Sequence, residues 1–213
     1  MKIIQHYLNT RPTAEWITKS SGLPYVEIDM EVPCDKIYQE WLTVQHLAVL
    51  HRSGESISEK FFYGHNDWKS LVLYGAHPTA TSDSEGPMSW TEVANSCPNT
   101  VSWIKKNFVI NEHTGRIRFM LLGPKGYILP HSDSTKKGLD AFNIAVTNPV
   151  GCTFRLVNYG NIPFAPGKCM MIDTSNEHLL FNDSNEPRLH IIVHSELTNN
   201  KLIEESYASR YYS

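Results

Sequence analysis

The sequence predicts a mainly β protein with a jelly-roll core and helices in its N-terminal half. Three observations lead to this fold class. Short strand-like segments follow one another after residue 116 and are separated by clusters of Gly, Pro, Asn and Asp. The first half instead carries apolar residues at helical spacing. The chain has 213 residues, 41% of them hydrophobic, which is enough for one domain with a sizeable core.

The N-terminal half is predicted to become helical after Pro33. Within 33–52, Ile37, Trp41 and Val44 recur three or four positions apart, as on the buried face of an amphipathic helix. The other predicted elements are a polar, turn-like segment at 53–68, a strand at 71–74, a long loop at 78–89, and a short helix capped by Asn99 or Thr100 and ending near Phe108.

The C-terminal half is predicted to consist of short strands. The strand-like segments are 116–122, 127–129, 142–147, 153–157, 168–172, 178–181 and 188–194. Seven or eight strands at this spacing favour a sandwich or barrel, and a jelly roll is the natural closed solution for one domain. We therefore expect a single domain over 1–213, with a helical and loop support region (1–115), a jelly-roll core (116–195) and a C-terminal tail helix (196–213).

Composition and charge narrow the classes of partner. Lys and Arg number 19 against 22 Asp and Glu, and a net charge of −3 argues against a general nucleic-acid binder. No segment approaches the roughly 18 apolar residues of a membrane helix. The four cysteines lack metal-ligand spacing, and with no secretory leader they are expected to be free thiols in a reducing compartment. We predict a soluble cytoplasmic protein with neither a membrane nor a nucleic-acid partner.

A His-x-Asp pair in the strand-rich half is the main chemical signal. His131 and Asp133 follow a strand, and His178 begins another strand 47 residues later. Residues i and i+2 of an extended chain point to the same face, so His131 and Asp133 can meet at one ion. Two imidazoles and one carboxylate form the facial triad of non-haem Fe(II) oxygenases. Arg188, ten residues after His178, is positioned on the next strand to grip a carboxylate of a 2-oxo acid.

A second His-x-Asp pair tests how specific this signal is. His65 and Asp67 form it, and His113 lies 48 residues downstream. The position ten residues beyond His113 is Gly123 rather than an arginine. We also expect His65 and His113 to lie in polar, turn-like segments rather than in an array of strands. The combination at 131, 133, 178 and 188 is therefore favoured over this second pair.

Residues 116–195 resemble the aspartyl/asparaginyl β-hydroxylase family of Fe(II)/2-oxoglutarate-dependent dioxygenases, which includes bacterial free-proline hydroxylases. The matching segments are 116–133, which ends in the His-Ser-Asp motif; Thr147-Asn148-Pro149; 166–178, which ends at His178; and 182–190, which contains Arg188. Upstream of residue 116 the similarity is loose.

The resemblance implies a double-stranded β-helix (jelly roll, cupin-like) core. It also implies that His131, Asp133 and His178 bind Fe(II), that Arg188 holds the distal carboxylate of 2-oxoglutarate, and that O2 is the oxidant. Ala141 and Asn143 depart from the family, which commonly has Arg and His on this strand. Asn143 can still donate a hydrogen bond to the cosubstrate.

For several strand residues the sequence allows two interpretations. His190 shares the strand parity of Arg188, so it is either a pocket residue beside the cosubstrate or a satisfied core histidine. Arg116 and Arg118 share a parity as well, and either one of them meets a substrate carboxylate or both face solvent. Trp68, Trp90 and Trp103 are expected to pack in the core or in loops.

Together these signals predict a 2-oxoglutarate-dependent dioxygenase that hydroxylates an amino acid and converts 2-oxoglutarate to succinate and CO2. The substrate is free proline, a free acidic amino acid, or an Asp or Asn side chain within a peptide. The alternative is a non-catalytic, cupin-type metal-binding sensor or binding protein. The two differ in one feature, because only the oxygenase requires Arg188 at its offset from His178.

Overall fold

The computed structural model describes residues 24–51, 65–133 and 141–199. Most of the predicted tail helix at 196–213 and most of the turn-like segment at 53–68 lie outside the described residues; 196–199, the described start of the tail, are not helical. Two α-helices are present in this part of the chain, α1 (Cys34–Val44) and α2 (Pro98–Asn107), together with short 3₁₀ turns at Gln45–Leu47 and Glu92–Ser96. Both predicted helices exist, but the first is shorter than predicted, because the chain turns after Val44 and continues as a strand at Val49–Leu50.

The start of α2 is capped from another helix. Asn99 or Thr100 was expected to cap it, but the helix already begins at Pro98. The Glu40 carboxylate of α1 accepts hydrogen bonds from the backbone N–H groups of Asn99 (2.6 Å) and Thr100 (2.9 Å) and from both side chains. The predicted local cap is therefore wrong, and a buried carboxylate from a distant part of the sequence satisfies the first N–H groups instead.

Eleven strands make up the rest of the described fold. They are β1 (Tyr25–Ile28), β2 (Val49–Leu50), β3 (His65–Gly75), β4 (Ser89–Trp90), β5 (Ile117–His131), β6 (Ala141–Ala145), β7 (Cys152–Leu156), β8 (Gly160–Asn161), β9 (Cys169–Ile172), β10 (His178–Asn182) and β11 (Arg188–His194). Every predicted strand is observed. The strands β1, β2, β4 and β8 were not predicted, because runs of two to four residues carry little periodicity.

The strand pairing curls the sheet into a half-barrel of the jelly-roll type. The antiparallel order is β1-β9-β6-β11-β5-β10-β7-β8, and β3 joins the edge of β5. The first half of β5 pairs with β11, whereas its second half pairs with β10. The strand therefore belongs to two facing sheets, a major one with β11, β6 and β9 and a minor one with β10 and β7. The predicted mainly β, jelly-roll fold class is confirmed.

The bend in β5 lies at Gly123–Gly126. This segment was expected to be a turn between two strands, but the chain remains one strand from Ile117 to His131. A Cβ atom on Gly126 would lie 2.8 Å from the backbone oxygen of Gly123, so only glycine fits the close approach. Lys125 has a positive φ of 59° at the same bend. A turn-like sequence here bends a strand without ending it.

Two apolar cores lie on opposite faces of the major sheet. The outer core includes Ile117, Phe119 and Val193 and packs against the helices, for example through a contact of 5.2 Å between the ring centroids of Trp41 and Phe119. The inner core includes Leu122 and Phe154 and fills the space between the two sheets. Because strand residues alternate between faces, this division identifies which polar side chains point into the barrel.

The three tryptophans for which packing was expected lie in or against the two apolar cores. Trp103 is buried in the outer core, Trp90 packs against Tyr74, and Trp68 lies against the inner core, so the expected packing roles are observed. Among the described residues, no helix is long and apolar enough to cross a membrane.

Candidate active site

Three potential metal ligands meet at one end of the barrel. His131 is the last residue of β5 and His178 the first residue of β10, and the two are paired directly across the strands. Asp133 follows two residues later, where its backbone N–H donates to the carbonyl of Thr174 at 2.8 Å. One carboxylate oxygen lies 3.9 Å from His131 Nε2 and the other lies 3.9 Å from His178 Nε2. The ligand atoms all lie within 4.8 Å of one another.

Backbone carbonyls orient both imidazoles toward this cluster. His131 Nδ1 lies 2.8 Å from the carbonyl of Leu129, and His178 Nδ1 lies 2.9 Å from the carbonyl of Asn176. A carbonyl only accepts hydrogen bonds, so each Nδ1 carries the proton and each Nε2 presents a lone pair. The two side chains are only 7% and 4% exposed, whereas Asp133 is 42% exposed.

This donor set suits a transition metal. Ligands about 2.1 Å from an ion, on adjacent corners of an octahedron, lie about 3.0 Å apart. The two carboxylate–imidazole separations are 3.9 Å, and all the ligand atoms lie within 4.8 Å of one another, so the side chains would have to move closer together to coordinate one ion. Two neutral nitrogens and one carboxylate oxygen on one face leave the opposite face for other ligands.

A second polar cluster lies deeper in the barrel, around Arg188. Its guanidinium donates from Nε to Asn148 Oδ1 at 3.3 Å and from Nη2 to His190 Nδ1 at 3.1 Å, and it lies 5.6 Å from the ring centre of Phe164. Arg188 is only 3% exposed, and burial lowers the pKa of its guanidinium to about 10. Among the described residues, no carboxylate oxygen lies within 4.0 Å of it. A charge buried in this way favours an anionic ligand.

His190 and Asn143 complete this second cluster. His190 is fully buried, and its Nδ1 lies 2.5 Å from Asn143 Oδ1. Burial and the charge of Arg188 hold the pKa of His190 well below its usual range, so the imidazole is neutral. Its Nε2 is shielded from solvent and has no hydrogen-bond partner in the described part of the chain. The predicted common face of Arg188 and His190 is observed.

Aromatic rings connect the two clusters through the barrel interior. The His178 ring stacks on Phe154 with centroids 5.4 Å apart, Phe154 contacts Phe164 at 5.9 Å, and Phe164 contacts the edge of His190 at 4.8 Å. Neither these rings nor Asn148 are predicted from the sequence as site residues. Asn148 stands in the Asn-Pro segment that follows β6, whereas the Phe residues carry no sequence signal that separates them from other core positions.

A third polar group occupies the inner face of the major sheet at the same end of the barrel as the metal cluster. Arg116 donates to Asp83 at 2.6 Å and to the carbonyl of Ala80 at 3.1 Å. Its side chain is 12% exposed, so the expectation of a solvent-facing strand arginine is wrong for Arg116. His194 and Arg118 belong to this group, since burial together with the charge of Arg118 lowers the pKa of His194 to about 3.

The second His-x-Asp pair does not form a comparable site with His113. His113 lies on a turn and is 68% exposed beside Glu112, and Asp67 pairs with Lys69 at 3.1 Å. The predicted turn-like context of His65 is wrong, because His65 begins β3. Its side chain lies outside the described set. Within that set, His131, Asp133 and His178 are the one group of metal-ligand type.

Comparison with known proteins identifies the family. A family model of aspartyl/asparaginyl β-hydroxylases matches residues 34–196. The chain belongs to this family. It is therefore an enzyme of the Fe(II)/2-oxoglutarate oxygenase class, as predicted, and the alternative of a non-catalytic sensor loses its support. No curated protein sequence is detectably similar to the chain.

Solved structures of other oxygenases share the fold of this β-hydroxylase family member. One is an oxidoreductase of the 2OG-Fe(II) oxygenase family from Burkholderia pseudomallei, with a TM-score of 0.53 and 9% identity over 86% of this chain and 89% of that one. Another is the non-haem α-ketoglutarate-dependent carbocyclase SnoK of nogalamycin biosynthesis, with a TM-score of 0.50 and 13% identity over 94% of this chain and 93% of that one. At these identities the similarity concerns the fold.

Proposed function

We propose that the protein uses Fe(II) and 2-oxoglutarate to hydroxylate an amino acid, either free or within a peptide. The observation that carries this proposal is the pairing of two clusters in one buried interior. One is a His/Asp/His group at the mouth of the barrel, and the other is a buried arginine with no carboxylate within 4.0 Å among the described residues.

The iron would be held by Nε2 of His131, a carboxylate oxygen of Asp133 and Nε2 of His178. The tautomers fixed by the Leu129 and Asn176 carbonyls support this assignment, because both lone pairs point at the cluster. When bound, the metal and 2-oxoglutarate supply the oxidising chemistry, in which O2 is consumed and 2-oxoglutarate becomes succinate and CO2. The protein supplies three ligands, orientation and a shielded interior.

Arg188 would hold the distal carboxylate of 2-oxoglutarate, beside His190 and Asn143. His178 and Asn182 are the two ends of β10, about 13 Å apart at roughly 3.3 Å per residue. Arg188 follows Asn182 after a short turn, and its guanidinium reaches back toward the metal end as far as His190. The space that remains between the metal cluster and Arg188 suits a short dicarboxylate that contacts both. Phe154 and Phe164 shield this interval from water.

The family supports an amino-acid or peptide substrate. At the mouth of the barrel, Arg116 and Arg118 lie near Asp83 and near His194, which is neutral. The proposed substrates are free proline, a free acidic amino acid, or an Asp or Asn side chain within a peptide. Arg116 is already engaged by Asp83 and Ala80, so we assign it to anchoring the 78–88 loop rather than to the substrate.

Succinate formation tests the proposal. Purified protein loaded with Fe(II) is incubated with 2-oxoglutarate and O2 alongside a panel of free amino acids and Asp- or Asn-containing peptides. We expect one member of the panel to raise succinate formation and to gain one oxygen atom by mass spectrometry. A protein that turns over no 2-oxoglutarate with any of them contradicts the proposal.

A binding measurement separates the enzyme from a metal-binding sensor. 2-Oxoglutarate is added to protein that holds Mn(II), and the melting temperature is recorded with and without the metal. A ligand that binds only the folded state raises the melting temperature. An increase that requires the metal is expected for the oxygenase, whereas no increase is expected for a sensor without a cosubstrate site.

A further inference from the structure

We infer that Phe164 limits the length of the cosubstrate, because its ring fills the space into which a 2-oxo acid longer than 2-oxoglutarate would have to bend. The inference rests on the proposed function and deepens it, since it names the residue that excludes longer dicarboxylates. Phe164 lies on the segment between β8 and β9, outside the metal cluster and apart from the polar residues assigned to the cosubstrate.

The ring of Phe164 lines the deep end of the barrel interior. Its centroid lies 5.6 Å from the guanidinium carbon of Arg188 and 4.8 Å from the centroid of the His190 ring. Toward the metal end it contacts Phe154, with centroids 5.9 Å apart, and Phe154 in turn stacks on His178. A ligand that reaches from His178 to Arg188 must therefore pass beside Phe164.

No further heavy atom fits between this ring and its three neighbours. Carbon atoms in contact are about 3.5–4.0 Å apart, so a group placed between the ring and another side chain needs a separation of about 7 Å or more. The separations of Phe164 from Phe154, His190 and Arg188 are at most 5.9 Å. These side chains therefore form a continuous wall along one side of the interior.

The backbone around Phe164 holds the ring in place. Pro163, whose side chain fixes its own φ angle, precedes it, and the Phe164 N–H donates to the carbonyl of Ile162 at 2.8 Å. The amide of Asn148 donates to the Phe164 carbonyl at 3.2 Å and accepts from Arg188 Nε at 3.3 Å. Asn148 therefore joins the wall to the arginine, and neither can move away from the other without losing a hydrogen bond.

Both ends of the proposed cosubstrate are fixed in position. One end is held at the metal cluster and the distal carboxylate at Arg188, whose guanidinium is itself held by Asn148 and His190. A dicarboxylate with one more methylene must therefore bow sideways between these two points. On the side of Phe164 the ring already fills that space, so the longer acid is expected to bind less tightly. Ordinary core packing is the alternative role for the ring, and it predicts no dependence on ligand length.

Calorimetric titration with two dicarboxylates tests the inference. Wild-type protein, Phe164→Ala and Phe164→Leu are each titrated, in the presence of Mn(II), with 2-oxoglutarate and with 2-oxoadipate, which is one methylene longer. We expect wild-type protein to bind 2-oxoadipate about 10- to 200-fold more weakly, as for one methylene that does not fit an apolar pocket. In Phe164→Ala this ratio should fall at least about fivefold, and Phe164→Leu should give an intermediate ratio.

Phe181→Ala is the matched control. Phe181 is 38% exposed, and the alternation of side chains along β10 places it on the opposite face from Leu180, which lies in the inner core. The same loss of a ring at Phe181 should leave the ratio of the two dissociation constants unchanged. An unchanged ratio in Phe164→Ala, or a wild-type protein that binds the two acids equally well, would overturn the inference.

The two proposals fail in different ways. Wild-type protein that binds no 2-oxoglutarate contradicts the proposed function, and the inference falls with it. Wild-type protein that binds 2-oxoglutarate, together with a Phe164→Ala variant that weakens both acids equally, contradicts the inference alone, because equal weakening is the effect of lost packing. If Phe164→Ala does not fold, the wild-type ratio and the smaller change Phe164→Leu still decide the question.

Discussion

Replacing Arg188 with Met is expected to separate ligand binding from stability. Met keeps most of the apolar length of the side chain and removes the charge. Desolvation lowers the pKa of Arg188 from its usual value to about 10, which corresponds to a penalty on the order of 3 kcal/mol for the charged form in the folded state. This penalty applies at every pH below about 10, so it is fully present at neutral pH.

The lost hydrogen bonds oppose this gain. Arg188→Met leaves the acceptors Asn148 Oδ1 and His190 Nδ1 without their guanidinium donor, at roughly 1–3 kcal/mol each. Asn143 still contacts His190, and the Asn148 amide still donates to the carbonyl of Phe164, which reduces that loss. The two contributions nearly offset each other. We therefore expect the free energy of unfolding of the ligand-free protein to change by less than about 2 kcal/mol.

Binding of 2-oxoglutarate should change far more. Truncating one partner of a buried, hydrogen-bonded charge pair weakens binding by about 2–5 kcal/mol, or roughly 30- to 4,000-fold. Urea unfolding of the ligand-free protein and calorimetric titration with 2-oxoglutarate in the presence of Mn(II) measure the two quantities. Arg188→Lys is the matched control, because it keeps the positive charge and loses the two-point hydrogen bonding of the planar guanidinium. A variant that loses more than 3 kcal/mol of stability and less than tenfold in affinity would show that Arg188 is structural.

Three further predictions concern the metal cluster, the helix cap and the bend in β5. His178→Ala should abolish Mn(II) binding in calorimetry, whereas His113→Ala, in the second His-x-Asp set, should leave it unchanged; equal effects would contradict the site. Desolvation raises the pKa of Glu40, but hydrogen bonds from the start of α2 outweigh this effect and hold the pKa below its usual range. The ionised Glu40 side chain therefore stabilises the fold above about pH 4.3, and this stabilisation is lost as the pH falls further. Glu40→Gln should therefore lower the free energy of unfolding by about 1–2 kcal/mol at pH 7 and by less at pH 3, and a pH-independent loss would contradict the charge argument. Gly123→Ala should destabilise by about 1–3 kcal/mol, since its Cβ would lie 1.6 Å from Asp67 Oδ2, and Asp67→Gly in the same chain should restore most of the stability in thermal unfolding.

The sequence contained enough information for the core strands and for the convergence of the two clusters. Strand periodicity and turn residues predicted β6, β7, β9, β10 and β11 to within one or two residues. The spacing of His131, Asp133, His178 and Arg188 predicted residues that the fold does bring into one interior. These predictions were possible because the alternation of side chains along a strand, and the offset between two residues across one short turn, depend on local sequence only.

Contacts between distant segments could not be predicted in the same way. Glu40 caps a helix whose first residues lie about sixty positions later in the chain, and Asp83 pairs with Arg116 from a loop. Neither partner is marked by any pattern near it. His65 shows the opposite error, because its polar neighbours suggested a turn although pairing with β5 makes it part of a strand. Tertiary pairing overrides local propensity at such positions.

The arrangement of charges in the barrel explains why one ligand can satisfy both clusters. His131 and His178 are neutral and Asp133 carries one negative charge, so a divalent ion bound there leaves one positive charge in a largely shielded site. Arg188 adds a second positive charge deeper in the same interior. Buried charges of equal sign are unfavourable unless a partner neutralises them. A dianion with its two carboxylates at opposite ends neutralises both, whereas a monocarboxylate leaves Arg188 uncompensated. On the proposed function, selectivity for a dicarboxylate is therefore expected from where these charges are buried.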